Sequence, residues 1–158
     1  MTGLVFTAEM HAVAVSAAAS IFSIQAPAGN RVRVREIRIG QYSDFGDAAA
    51  EIVSVRLIRN ATAFATQGGV AVTPQNLKPW SRAANSRVIR TATVATDGGK
   101  CVLMDAMNIA SGWWYAPSED EMVWLDTGDN LQVCVTAPAD ALTMNGTVVF
   151  EELAQRVD

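Results

Sequence analysis

Histidine is almost missing from this chain. One imidazole, His11, and two thiols, Cys101 and Cys134, are the whole supply in 158 residues. A zinc or iron centre of the usual kind takes two or three such ligands at close spacing, so a resident metal and any double-stranded β-helix metalloenzyme are not expected. The same shortage removes nucleophilic triads, because no serine has a plausible histidine partner. There is no Gly-x-Ser-x-Gly elbow, Walker loop or dinucleotide fingerprint. Cys101 and Cys134 sit in apolar segments, which predicts buried free thiols, with a disulfide as the lesser alternative. His11 is read as a surface or interface residue.

Charge is scarce too. Only 18% of residues are charged, against a norm of about 25%. Long apolar runs are also lacking: nothing reaches the 18 or so residues of a membrane span. Met1 to Gln25 is apolar but holds no Lys or Arg, so a secretory leader is not expected and synthesis in the cytoplasm is. The net charge of −4 argues against nucleic acid as the main partner. Its distribution is uneven. Residues 31–90 carry a balance of +6 and residues 91–158 one of −9. Copies could dock these patches head to tail, or the two halves could interleave in the fold and cancel.

What is present is valine and alanine in short alternating runs between turn residues, the mark of packed strands. Ser20 to Gln25 is the first strand. In Val32 to Gln41, Val32 and Val34 are out of phase with Ile37 and Ile39; a bulge near Arg35-Glu36 would bring all four to the core, with Arg33 and Arg38 outward. Glu51 to Arg59 follows, with Val53, Val55 and Leu57 inward and Arg56 outward. Ser43 to Asp47 reads as a loop, and 60–86 as a long irregular excursion with Val70–Val72 as a short edge strand. Val88 to Ala95 ends at the turn Asp97-Gly98-Gly99. Lys100 to Met107 and Gly112 to Tyr115 are shorter runs. Met122–Leu125 and Leu131–Thr136, joined by Thr127-Gly128-Asp129, read as a hairpin. The last strand is about Met144 to Glu152, and Phe150, Leu153 and Val157 could begin a short helix. Residues 8–19 fit either a helix or an extended arm, since Met10, Val13, Ala14 and Ala17 share a helical face. The predicted architecture is all-β, a jelly-roll β-sandwich over residues 20–158 preceded by an N-terminal arm, 1–19.

Few residues are left to carry chemistry. Glu119-Asp120-Glu121 and the pair Asp126 and Asp129 sit where solvated turns are expected; a calcium site and a glycosidase carboxylate pair are the competing readings. Asn60-Ala61-Thr62 and Asn145-Gly146-Thr147 match the glycosylation pattern, which is idle without export. The aromatics are more telling. On a strand Trp113 and Tyr115 share one face and Trp114 takes the other, so one side must meet solvent, a partner or a ligand. Trp80, Trp113, Trp114 and Tyr115, with Arg33 and Arg56, are the expected interface residues. A carbohydrate platform and ordinary core are the alternatives.

The order of features resembles the small jelly-roll decoration (cement) proteins of tailed-bacteriophage capsids. It is carried by Pro27-Ala28-Gly29-Asn30 before a strand, Val72-Thr73-Pro74-Gln75-Asn76-Leu77-Lys78-Pro79 in a long loop, and Ser111-Gly112-Trp113-Trp114-Tyr115-Ala116-Pro117. Trp124-Leu125-Asp126-Thr127-Gly128-Asp129-Asn130-Leu131 and Ala137-Pro138 complete it, so it spans roughly residues 20–150. The resemblance implies a homotrimer on the outer capsid surface that clamps the major capsid protein. It implies a virion structural protein with no cofactor, no enzymatic activity, and no nucleic-acid or membrane partner. A carbohydrate- or receptor-binding module of a phage fibre or spike is the alternative, and an enzyme of cupin or glycosidase type a third.

Overall fold

A computed structural model describes residues 3–42, 51–60, 64, 68–78, 82–94 and 99–154. Trp80, the loop from Ser43 to Asp47, Asp97-Gly98 and Val157 lie outside them. The chain folds as an all-β sandwich of two antiparallel sheets. The first sheet is ordered β10 (Val123–Leu125), β3 (Asn30–Gln41), β12 (Leu142–Ala154), β1 (Leu4–Val15) and β6 (Gln75–Asn76), with β9 (Trp113–Tyr115) also on β3. The second is ordered β5 (Val70–Val72), β7 (Arg87–Ala92), β2 (Ala19–Gln25), β11 (Asn130–Val135), β4 (Ile52–Arg59) and β8 (Lys100–Asn108).

Strand β3 carries the expected bulge. Val149 pairs with Glu36 and Phe150 with Val34, leaving Arg35 as the extra residue. Val32, Val34, Ile37 and Ile39 are therefore all buried although their sequence phase changes midway. Val53, Val55 and Leu57 of β4 point into the same core, as their alternation requires. Phe6 and Phe150 pair directly across β1 and β12, with ring centroids 5.8 Å apart. Burial of each such side chain stabilises the sandwich by about 1.5–3 kcal/mol.

Several expectations are corrected. The segment expected as an N-terminal arm is mostly strand β1, hydrogen-bonded between β12 and β6 in the first sheet. It is extended, and a bulge between Met10 and Val13, with Ala12 at φ 48°, shifts its inward residues from Phe6, Ala8 and Met10 to Val13 and Val15. The 122–136 segment is not a hairpin. β10 joins β3 in one sheet and β11 joins β2 and β4 in the other, so Thr127-Gly128-Asp129 carries the chain across the sandwich. Gly128, at φ 82°, adopts a backbone conformation that favours glycine. The chain stays in β12 through Ala154 where a helix was an option. Cys134 is buried, but Cys101 is exposed on the edge strand β8; both are free thiols.

Interleaving also consumes the charge asymmetry. Apart from Arg38 with Glu36, every ion pair found among the described residues joins a base of the first half to an acid of the second. Arg31 meets Asp126 at 2.6 Å, Arg33 meets Glu151 at 2.6 Å and Glu119 at 3.4 Å, Arg59 meets Asp129 at 3.0 Å and Arg82 meets Glu152 at 2.9 Å. Glu152 shares a face with the buried Val32 opposite it and has no exposed side-chain area. Its Oε1 accepts the Asn85 and Ser86 amides (2.8 and 2.6 Å) and the Ser86 hydroxyl (2.7 Å). One buried carboxylate thereby fastens the irregular excursion to the last strand.

Candidate binding surfaces

Strand β9 splits its aromatics as its pleat dictates. Trp113 and Tyr115 turn inward and stack at 6.1 Å, whereas Trp114 turns outward and is 66% exposed. The Trp113 indole donates to Asp105 Oδ2 at 2.9 Å, tying the β8 edge of one sheet to β9 of the other. That hydrogen bond, and the Ala106 amide, hold the Asp105 carboxyl below its ordinary range. Burial pushes the Tyr115 phenol up, and its hydroxyl donates to the Glu121 carbonyl at 3.3 Å.

Trp114 belongs to a cross-strand row on the outer face of the first sheet. Glu9 pairs with Thr147, Thr147 with Arg38 and Arg38 with Trp114, so four side chains from four strands point the same way. The next row pairs Asn145 with Gly40, and Gly112 packs beside Gly40. With no side chains on those glycines, a cleft of about 730 Å³ opens between Trp114 on one wall and Glu9 and His11 on the other. Gly112 has no substitute here: its φ is 72° and a Cβ would meet the Ile39 carbonyl oxygen at 2.8 Å. Trp114 is held in place without a ligand. Its indole donates to Glu36 Oε1 at 2.7 Å, Glu36 also pairs with Arg38, and the Arg38 guanidinium lies 5.7 Å from the ring.

A second surface lies at the β8 edge of the other sheet. Lys100 to Ala106 is exposed on both faces except at Leu103, and Val102, Met104 and Ile52 stand out at 46%, 67% and 69% exposure. Arg56 faces outward beside Met104, half-buried, with no ion-pair partner among the described residues.

No known family model and no curated protein matches this chain.

The expected interface residues do not form one patch. Trp114 lines the cleft and Arg56 flanks the β8 edge. Trp113 and Tyr115 face the core, and Arg33 is held by Glu151 and Glu119 against the Trp124 ring, 5.2 Å away. His11 is exposed, its ring 5.2 Å from that of Tyr42. Among the described residues no three His, Cys, Asp or Glu side chains converge on one point, and no helix is long and apolar enough to cross a membrane. Sequence reasoning missed the glycine floor, because Gly40 and Gly112 are brought together by strand pairing. The β8 edge had a local signal: Cys101-Val102-Leu103-Met104 does not alternate, as a half-buried strand should.

Proposed function

We propose that the chain is a non-catalytic assembly protein, a homotrimeric capsid decoration (cement) protein of a tailed bacteriophage that seats on the major capsid lattice. The observation that carries this reading is the β8 edge. An edge strand that no other strand among the described residues covers, with exposed Val102, Met104 and Ile52, invites another chain, and proteins that stay apart blunt such edges with charge. Strand order supports the jelly-roll form. Without the excursion β5 to β7, the sheets run β1-β12-β3, with β9 and β10 both on β3, and β2-β11-β4-β8, and every step along the chain except β4 to β8 and β9 to β10 crosses between sheets, as in paired Greek keys. Self-neutralised charge suits a protein that binds through apolar edges and many small contacts.

Native mass spectrometry tests the trimer: three copies of a 16.8 kDa chain weigh about 50 kDa. Met104→Glu buries a charge at the contact and should shift the species to single chains. Co-sedimentation with shells of major capsid protein tests the partner. A wild-type chain that stays single at micromolar concentration and leaves shells in the supernatant defeats the reading. The Trp114 cleft favours a second reading, a carbohydrate- or receptor-binding module of a fibre or spike.

A further inference from the structure

We infer that the cleft beside Trp114 is a binding site for a neutral pyranose sugar, independent of whether the chain forms trimers or sits on a capsid. Three features of the cleft lead there. The first is a fixed aromatic wall. A tryptophan that is two-thirds exposed would ordinarily sample several rotamers. Here the Glu36 carboxylate and the Arg38 guanidinium hold the indole in one orientation, so a ligand need not order it. Arg38 covers one face of the indole, and the exposure of the side chain leaves the other to take the C–H face of a sugar ring as other apolar faces do.

The second is the floor. Gly40 and Gly112 leave bare backbone where side chains would fill the sheet's outer surface, and about 730 Å³ lies within the roughly 300–1,000 Å³ of small-molecule clefts. A flat protein contact would not need that recess. The third is the chemistry of the rim. Glu9, His11, Asn145 and Thr147 offer carboxylate, imidazole, amide and hydroxyl groups around one aromatic wall. That mixture of donors and acceptors suits several hydroxyls at once. Asn145 is already oriented, because its Oδ1 accepts the Ala12 amide at 2.7 Å across the β1 bulge.

Charge selects within the sugars. Among the described residues Arg38 is the sole Lys or Arg lining the cleft, and it is engaged by Glu36, while Glu9 adds a negative charge. A phosphate, nucleotide or sialylated ligand would meet no free Lys or Arg among these residues. A neutral hexose or N-acetylhexosamine meets no conflict.

The test is an array of neutral, sialylated and sulfated glycans, with saturation-transfer NMR and calorimetry on the neutral binders. Wild-type protein should bind one or more neutral glycans, with a Kd unchanged between low and high salt. Trp114→Ala, at an exposed position, should weaken binding about tenfold or more by removing the stacking face. Gly40→Leu provides the second arm. A Cβ there has only Gly112 Cα at 4.0 Å, so the fold accepts the side chain while the floor fills, and binding should be lost with Trp114 intact. A flat array, binding confined to sialylated or sulfated glycans, or undiminished affinity in either variant overturns the assignment.

Discussion

Consider the removal of the Glu152 carboxylate. Its side chain has no exposed area and serves four donors, two of them on Ser86 and themselves buried. Glu152→Ala leaves the Ser86 amide and hydroxyl without an acceptor, and each unpaired buried donor costs about 1–3 kcal/mol. The Asn85 amide is less enclosed and adds less. Arg82 is 42% exposed, so losing its ion pair adds only about 0–1 kcal/mol. Together the substitution should cost about 3–5 kcal/mol, a large part of the roughly 5–15 kcal/mol that holds a domain together. Arg82→Ala leaves three donors on the carboxylate and should cost about 1 kcal/mol or less. Glu152→Gln keeps an acceptor for Ser86 but turns an amide toward Arg82, and should fall between the two. Urea unfolding followed by circular dichroism, at one protein concentration because assembly would shift the midpoint, measures all three. A Glu152→Ala variant within 1 kcal/mol of wild type, or an Arg82→Ala variant as damaged as it, refutes the anchoring role.

Two further outcomes follow from the ionisable groups. Burial pushes the Cys134 thiol up to about 11, whereas Cys101 lies exposed on β8; iodoacetamide at pH 8 should add one label to the folded Met104→Glu variant, whose β8 edge is left free, and two in urea, read by mass, and two labels without denaturant would contradict the fold. At Asp129 burial alone would raise the carboxyl, but hydrogen bonds from Arg59, the Asp126 amide and Asn60 outweigh it and hold the group below its ordinary 3.8. The unfolded chain therefore takes up that proton first as pH falls, so the stabilisation is complete above 3.8 and is lost as pH drops through the lower folded value. Asp129→Asn should flatten that part of the stability profile, and an unchanged acid limb would count against the assignment.

The fold was largely readable because strand burial leaves a two-residue period. The β3 bulge could even be inferred from Val32, Val34, Ile37 and Ile39, where the period slips once. What local pattern does not carry is the partner of each strand. Leu125 and Leu131 alternate like the arms of a hairpin, yet they enter different sheets, a choice made by distant strands β3, β2 and β4. Strand β1 was obscured by its own irregularity. The bulge at His11-Ala12 displaces the inward set by one residue and leaves Met10, Val13, Ala14 and Ala17 at helical spacing. The Trp114 cleft was half legible: pleat geometry put Trp114 opposite Trp113 and Tyr115, but its floor needs Gly40 of β3 beside Gly112, just before β9.

The pairing of β1 with β12 has a consequence for how the molecule is made. Gly3 and its acceptor Glu151 are 148 positions apart, and the same two strands pair from Leu4–Glu152 to Val15–Leu142, with one shift at the bulge between Met10 and Val13. During synthesis Phe6, Ala8 and Met10 are made long before their partners in β12, and until then meet only the two-residue strand β6. Nascent chains should thus spend their longest wait with a greasy ribbon uncovered, and a chain cut short before Leu142 should clump rather than fold.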